Sequence, residues 1–339
     1  MTFDDVLIIK NGKNQRAVEN PDGKYPIYGS GGIMGYADDY ICEADTVIVG
    51  RKGSINNPIF VEEPFWNVDT AFGLVAKREV LLPRYLYYFC RNYDFERLNK
   101  AVTIPSLTKS DLLKIEMTLP ALEIQEKIVN KLLKIEEVIQ ARQQQLQKLD
   151  ELVKARFIEL FGDPELNPRG LPVLPWNAVF LTTTGKLDSN AMVENGRYPF
   201  FTCAKESYKI DSYAFDCEAL LLAGNNAAGI YDVKHYKGKF NAYQRTYVLR
   251  LMNEKWSYIL FKRQLEDKLQ YLQSQSKGTN TRYLTLGILN ELRFVVPPVA
   301  EQEQFAVFVE QTDKSKVAVQ KALDEAQLLF DSLMQQYFL

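Results

Sequence analysis

The residue types that do most enzyme chemistry are scarce in this chain and poorly spaced for it. The single histidine, His235, stands in a lysine-rich stretch with no serine or cysteine beside it, and so reads as an exposed turn residue rather than a general base. The four cysteines, Cys42, Cys90, Cys203 and Cys217, contain no C-x-x-C pair and, with one histidine, assemble no zinc set. They read as buried or half-buried thiols of a reducing compartment. Glu266-Asp267-Lys268 matches the E-x-K half of a nuclease motif, but in a charged helical stretch where chance explains it. Asn56-Asn57-Pro58-Ile59 approaches the N-P-P-Y motif of adenine methyltransferases and lacks its second proline and its aromatic. Gly29, Gly31, Gly32 and Gly35 miss the G-x-G-x-x-G spacing, and no Walker loop occurs. The chain therefore reads as a non-enzyme, with no metal and no cofactor of its own.

What recurs is a large repeat. At a shift of 173 residues Phe3-Asp-Asp-Val, Gly12-Lys13 and Tyr25-Pro26 fall on Trp176-Asn-Ala-Val, Gly185-Lys186 and Tyr198-Pro199. At 174, Gly50 meets Gly224 and Asn67 meets Asn241; at 177, Leu107-Thr108, Pro120 and Gln125 meet Leu284-Thr285, Pro297 and Gln302. A unit of about 160 residues exceeds solenoid periods of roughly 20 to 50 residues, and so marks two copies of a domain. The internal pseudo-two-fold that results suits duplex DNA with two half-sites.

The elements that must carry these residues follow from pattern. Residues 46–50 and 58–61 read as short buried strands around the Gly-rich turn of residues 27–41, and residues 213–233 repeat the plan. Amphipathic helices are expected over residues 83–98 and 256–272. After Pro120, Ile128, Leu132, Ile135, Ile139, Arg142, Leu146, Leu149, Val153, Arg156 and Leu160 alternate steps of four and three, a heptad seam. Phe305, Val309, Thr312, Lys316, Val319, Leu323, Ala326, Phe330, Leu333 and Tyr337 repeat it at 177. Neither helix buries such a seam alone, so the two pair antiparallel, as a spacer of about 50 Å between globular units. Arg142, Arg156, Thr312 and Lys316 either set register or sit at solvent-facing edges of the seam. The expected fold class is α+β, with two mixed α/β domains in pseudo-two-fold repeat separated by two long antiparallel coiled-coil helices. The expected boundaries are 1–118, 119–165, 166–297 and 298–339.

The net charge of −2 hides an uneven distribution: the four segments carry −2, −2, +6 and −4 in that order. A basic second globular segment permits binding to phosphate without demanding it. No apolar run approaches a membrane span, and Asp4 and Asp5 stand where a signal peptide carries Lys or Arg, which points to the cytoplasm.

Two variable globular units alternate with two similar long helices, each helix introduced by Leu-Thr, a hydrophobic residue, Pro and, five residues on, Gln. In this arrangement the chain resembles the specificity subunit of type I restriction-modification systems over essentially all 339 residues. Phe240-Asn-Ala-Tyr-Gln-Arg-Thr-Tyr247 adds to the match. One departure from the resemblance is expected at the short N-terminus, which begins almost at the first strand, so that any preceding helix seen in relatives is absent. The resemblance implies two target-recognition domains, each reading one half of a bipartite asymmetric double-stranded DNA site. The helices fix the spacing and dock two methyltransferase (modification) subunits. S-adenosylmethionine then belongs to those subunits, and ATP and magnesium to two restriction (motor-nuclease) subunits.

Reading DNA requires Lys and Arg for phosphates beside Asn, Gln, Ser and Thr for base edges. In the first unit the candidates are Lys13, Asn14, Gln15, Arg16, Ser30, Arg51, Lys52, Ser54, Lys100, Thr103 and Ser106. In the second they are Asn225, Asn226, Lys234, Lys237, Lys239, Tyr243, Gln244 and Arg245, with Ser276, Lys277, Thr279, Asn280, Thr281 and Arg282 in a polar basic stretch. The coiled-coil and partner-facing candidates are Ile128, Leu132, Ile135, Ile139, Leu146, Leu149, Val153, Phe305, Val309, Val319, Leu323 and Phe330. The alternative is a two-headed protein-interaction scaffold with a coiled-coil spacer, which polar Gly-rich loops also fit.

Overall fold

The structure, a computed structural model, describes residues 1–99 and 105–338. Lys100 and Thr103 lie outside the described residues. The chain divides into two compact units, one from Met1 to Gln144 together with the stretch from Val319 onward, the other Gln145–Ala318.

In the first unit a single helical turn, α1 (Phe3–Val6), leads into β1 (Leu7–Asn11), β2 (Tyr25–Gly29), β3 (Gly32–Ala37), β4 (Thr46–Gly50), β5 (Ile59–Val61), β6 (Trp66–Asn67) and β7 (Ala71–Ala76). The strands order as β1-β7-β4-β5, antiparallel, and β3-β2-β6, with β2 and β6 parallel. Strand alternation divides β4 between two cores. Val47 and Val49 pack with Phe3, Phe72, Tyr85 and Leu86, while Ile48 packs with Cys42, Val61 and Phe65.

Behind that sheet lies α2 (Pro83–Asn92), with proline at its first turn and Tyr85, Leu86, Tyr88, Phe89 and Cys90 buried. The helix expected over residues 83–98 stops six residues early. Asn56 is the reason: its Oδ1 accepts the Phe95 N–H at 2.7 Å and its Nδ2 donates to Asp94 at 3.0 Å. Asp94 in turn caps a 3-10 turn over Phe95–Leu98. The asparagine of the methyltransferase-like tetrapeptide is thus a structural clamp. A short helix, α3 (Lys109–Leu112), and the long α4 (Leu122–Phe161) follow.

The second unit is built from β8 (Val173–Pro175), α5 (Trp176–Val179), β9 (Phe180–Thr184), β10 (Tyr198–Phe201), β11 (Tyr208–Ile210), β12 (Phe215–Ala223), β13 (Asn225–Asn226), β14 (Val233–Ala242) and β15 (Thr246–Leu251). Then come α6 (Tyr258–Asp267), α7 (Leu269–Gln275), β16 (Arg282–Tyr283), α8 (Leu286–Asn290), β17 (Arg293–Val295) and α9 (Val299–Phe338). The helix expected over residues 256–272 is broken at Lys268 into α6 and α7, so Glu266-Asp267-Lys268 marks a helix end rather than a helix middle. Its acids are spent in pairs with Lys262 and Arg263. His235 is likewise not in a turn. It lies on β14, with Nε2 2.9 Å from Glu218 Oε1 and its ring stacked on Tyr258, because the lysine-rich stretch alternates across a strand.

The main sheet orders as β11-β10-β14-β12-β15-β9, which is the first unit's order strand for strand. One difference separates them. The continuous β14 pairs with both β12 and β10, whereas in the first unit the same job is split between β5 and β6. At the 174-residue shift Pro64 corresponds to Gly238. Proline has no N–H for a ladder, while Gly238, at φ +132°, bends the strand without leaving it.

The repeated residues turn out to be frame. A Cβ on Gly12 would stand 1.8 Å from the Val68 carbonyl oxygen, and one on Gly185 1.8 Å from that of Ala242. Thr108 and Thr285 cap α3 and α8 by accepting from the N–H of Asp111 and Ile288. Buried Gln125 donates to the carbonyls of Val80 and Pro120, both at 2.8 Å, and accepts the Leu82 N–H at 2.9 Å. Buried Gln302 donates to the Pro297 carbonyl at 2.8 Å and accepts the Ser257 N–H at 3.0 Å. Each glutamine fastens the first turn of a long helix to the N-cap of α2 or α6.

Both long helices contain 40 residues, and every expected seam position is buried or half-buried. Within each unit their segments run antiparallel. In the first, Lys131 reaches Tyr337 while Arg91 joins Glu136 to Phe330. In the second, Phe157 and Phe161 form an aromatic knot with Phe305, and Lys316 crosses to Asp150 at 2.7 Å. Burial works against the Lys316 charge, but Asp150 and Asp313 outweigh it and hold its pKa above the ordinary lysine value. Thr312 stays within its own helix, donating to the Phe308 carbonyl at 2.9 Å, while Arg156 pairs with Glu159 and also crosses to the Phe308 ring, 5.6 Å from its centroid. The seam alone misses Val129, Phe157, Phe161 and Met334, which are also buried.

Candidate nucleic-acid interface

In each unit the strands deliver a set of loops to one end of the sheet. In the first unit β1 and β4 end, and β7 begins, at that end: Gly50 pairs with Ala71 and Asn11 with Phe72. Backbone hydrogen bonds then tie the loops together. Lys13 N–H donates to Asn67, Arg51 and Lys52 to Thr70, Leu107 to Arg51, and Gly53 to Pro105. Lys52 bridges to Ser106. Ser30, at the β2–β3 turn, packs on Gly50 and Gly53, 3.1 and 3.8 Å from where their Cβ atoms would stand.

The predicted residues Lys13 to Arg16, Ser30, Arg51, Lys52, Ser54 and Ser106 therefore share one surface. Lys13, Asn14, Arg16, Arg51, Lys52 and Ser54 are exposed, and Gln15 is half-buried. Asn14 Oδ1 accepts from the Arg16 N–H at 2.9 Å, an Asx turn that holds the loop. Arg51 also leans over the Phe72 ring, 5.8 Å from its centroid, and lines a cleft of about 260 Å³ with Asn11, Thr108 and Lys109.

The second unit repeats the gathering with different side chains. Gly224 N–H donates to Arg245, Leu284 to Gly224, Gln244 to Leu187 and Tyr243 to Phe201. Asn225 and Asn226 pair with Tyr283 and Arg282, and Lys277 pairs with Tyr283 across the tip of residues 278–281. Asn225, Asn226, Tyr243, Gln244, Arg245 and the stretch 276–282 are thus brought together. Lys277, Thr279, Asn280 and Thr281 are exposed, and Gly278, at φ +98°, turns the tip. Asn226 Oδ1 accepts the Ala228 and Ile230 N–H groups at 2.8 and 3.4 Å, so its amide oxygen is spent within the loop. Ser276 and Arg282 serve the loop by bonding the Gln273 carbonyl.

Three predicted lysines stand elsewhere. Lys237 and Lys239 pair in register with Glu218 and Asp216, five and seven residues from the Ala223 end of β12, about 17 and 23 Å along the strand. Lys237 is held by Glu218 and Lys239 lies over the Tyr213 ring. Lys234 is closer but committed, to Asp232 and to the Ala204 carbonyl.

Residue reading also passed over Lys186, although the repeat equates it with Lys13; it is exposed beside Leu187 in the same cluster. Thr70 and Asp69 were missed as well. Nothing in their types announced them, since only the fold brings the β6–β7 turn against Arg51.

Burial raises the thiol pKa of Cys42 to about 11 and pushes that of Cys90 up also, so both stay protonated at neutral pH. Among the described residues no group of three or more His, Cys, Asp or Glu side chains is placed to hold a metal ion.

The family model for the type I restriction modification DNA specificity domain matches residues 1–151 and 179–326. The chain is 36% identical over 160 residues to the type I restriction enzyme EcoDI specificity subunit of Escherichia coli, a match that covers 44% of this chain and 35% of that protein. Its fold is similar to the crystal structure of the type I restriction-modification S subunit from M. genitalium, at a TM-score of 0.72 and 18% identity over 100% of this chain and 95% of that one. A further structure of a type I R-M system superposes at a TM-score of 0.55 and 17% identity, covering 100% and 96%. With the family model matching most of its residues in two blocks, the chain belongs to the type I restriction modification DNA specificity domain family.

Proposed function

We propose that this chain is the non-catalytic sequence-reading subunit of a type I restriction-modification complex, each loop cluster reading one half of a split, asymmetric duplex site. The observation that carries this reading is the repetition of the cluster. The same strand order delivers exposed basic and amide side chains to one end of the sheet twice, on a shared frame with unshared contact residues. Arg51, Lys52, Arg245 and Lys277 suit phosphate oxygens. The amide NH₂ of Asn226 and the exposed Asn280 suit base edges in the major groove. Each mismatched base pair then costs about 1–3 kcal/mol.

The long helices set the number of unread base pairs and dock two methyltransferase subunits. In support, Leu152 and Leu329 are equivalent at the 177-residue shift and are 48% and 50% exposed, so each unit presents the matching helix position outward. S-adenosylmethionine and adenine N6 transfer belong to those partners, ATP and magnesium to two motor-nuclease partners. The assembly works in the cytoplasm. No helix of the described residues is long and apolar enough to cross a membrane.

The test is single-molecule methylation sequencing of DNA from cells that express the chain with its neighbouring methyltransferase, against cells lacking only this chain. N6-methyladenine at a split motif that disappears with the chain is the expected result. An unchanged methylome would overturn the proposal in favour of a two-headed protein-interaction scaffold.

A further inference from the structure

The first unit's loop cluster carries an apolar tip that phosphate and base-edge contacts leave unexplained. In the β2–β3 hairpin, Gly29 pairs with Gly32 and Tyr28 with Ile33, and a bulge follows that makes Met34 the extra residue. A bulge re-aims its side chain, and Met34 is 62% exposed; Ile33 beside it is 56% exposed. Two adjacent apolar side chains are thus left more than half exposed at the end of a two-stranded arm, with the Met34 sulfur lying over Gly29.

Its surroundings are polarised by charge. Ser30 at the turn packs on Gly50 and Gly53, which places the tip against the exposed Arg51 and Lys52. Asp22, Asp38 and Asp39 gather toward the other end of the hairpin, where Tyr25 pairs with Ala37, while the Glu19 carboxylate reaches back to Gly35, next to Met34. Asp69, next to Thr70, is an acid that shares the tip's end. An apolar tip flanked by cations fits a duplex whose phosphates the cations hold while the tip meets the stacked bases.

We propose that Ile33 and Met34 form a wedge that pries open one base step of the first half-site, an inference that rests on the DNA-reading role above. Apolar side chains inserted between base pairs unstack and kink a duplex, most cheaply at pyrimidine–purine steps. The wedge adds specificity through deformability, at a step that no hydrogen bond reads. The second unit has no matching hairpin tip: Phe200 pairs with Tyr208 across a polar loop, Thr202 to Ser207, that includes Lys205 and Glu206, and its cluster exposes Ile230, at 67%, beside Asn226 instead.

The test uses the full chain in complex with its methyltransferase, and duplexes bearing the methylated motif with 2-aminopurine at successive positions other than the methylated adenines and their partners. Binding should raise fluorescence several-fold at one step of one half-site and leave the other half-site quiet. Ile33→Ser/Met34→Ser should abolish the rise and weaken binding about tenfold. Met34→Leu should keep both the rise and the wild-type affinity. Discrimination of the motif with no rise at any step would overturn the wedge alone, and so would a double variant that loses its methyltransferase while the remaining complex keeps the rise. Failure of the wild-type complex to discriminate the motif from a scrambled duplex would overturn the DNA-reading role and the wedge together.

Discussion

The first and second globular units share one strand order and few contact residues, and the division of labour among their residues explains how. Positions that match across the repeat, Gly12 with Gly185, Thr108 with Thr285 and Gln125 with Gln302, all close backbone contacts or satisfy buried donors and acceptors. Positions that do not match fill the loops: Arg51, Lys52 and Ser54 in one unit, Asn225, Asn226 and the 276–282 stretch in the other. The frame tolerates one structural difference as well, a strand broken at Pro64 or bent at Gly238. The fold is thus kept by a few residues with demanding geometry, and contact chemistry is free to vary around them.

The sharpest way to break the comparison is to exchange its one structural difference. Gly238→Pro forces a residue confined to φ near −65° into φ +132° and removes an N–H, and should destabilise the second unit by about 3 kcal/mol or more in denaturant unfolding. Pro64→Gly should change the first unit by less than about 1 kcal/mol, because the break there already lies outside the ladders. Equal losses would mean that the two strands are not equivalent.

The glutamine staples come next in size. Gln125→Ala orphans three backbone groups and Gln302→Ala two, so at roughly 1 kcal/mol each the expected losses are about 3 and about 2 kcal/mol. Thermal unfolding of the two variants would show the order; a neutral Gln302→Ala would break the parallel.

The smallest effects belong to the loops, where the units should differ in what they read and agree in how they hold phosphate. Replacing Arg51 and Lys52 by alanine, or Lys277 and Arg245, should weaken binding by about 1 kcal/mol per cation and reduce the salt slope by about one for each, with the methylated motif unchanged. An altered motif would show these side chains to be reading bases.

Much of the frame was legible before folding, for reasons that particular residues show. The heptad seam from Ile128 to Leu160 and its echo from Phe305 to Tyr337 needed only helical period, and every position in it is at least half-buried. The Leu-Thr and Pro-to-Gln spacings were visible as repeats, although their meaning as caps and staples was not. Helix ends were less legible. The stop at Asn92 is set by Asn56, 36 positions away in sequence, and a window of neighbouring residues contains no trace of it.

The candidate site divides in the same way. Arg51, Lys52, Asn225, Asn226 and Lys277 were recognisable as polar residues in loops, because glycines and short strands announce loops locally. Lys237 and Lys239 carried the same signal, yet β14 sets them some 17 and 23 Å along β12 from the cluster. Residue type and local period determined that this chain is a duplicated α+β protein with paired long helices. Which loops meet, which lysines join them and where an apolar tip stays exposed were decided only by tertiary pairing, since strands distant in sequence set those distances.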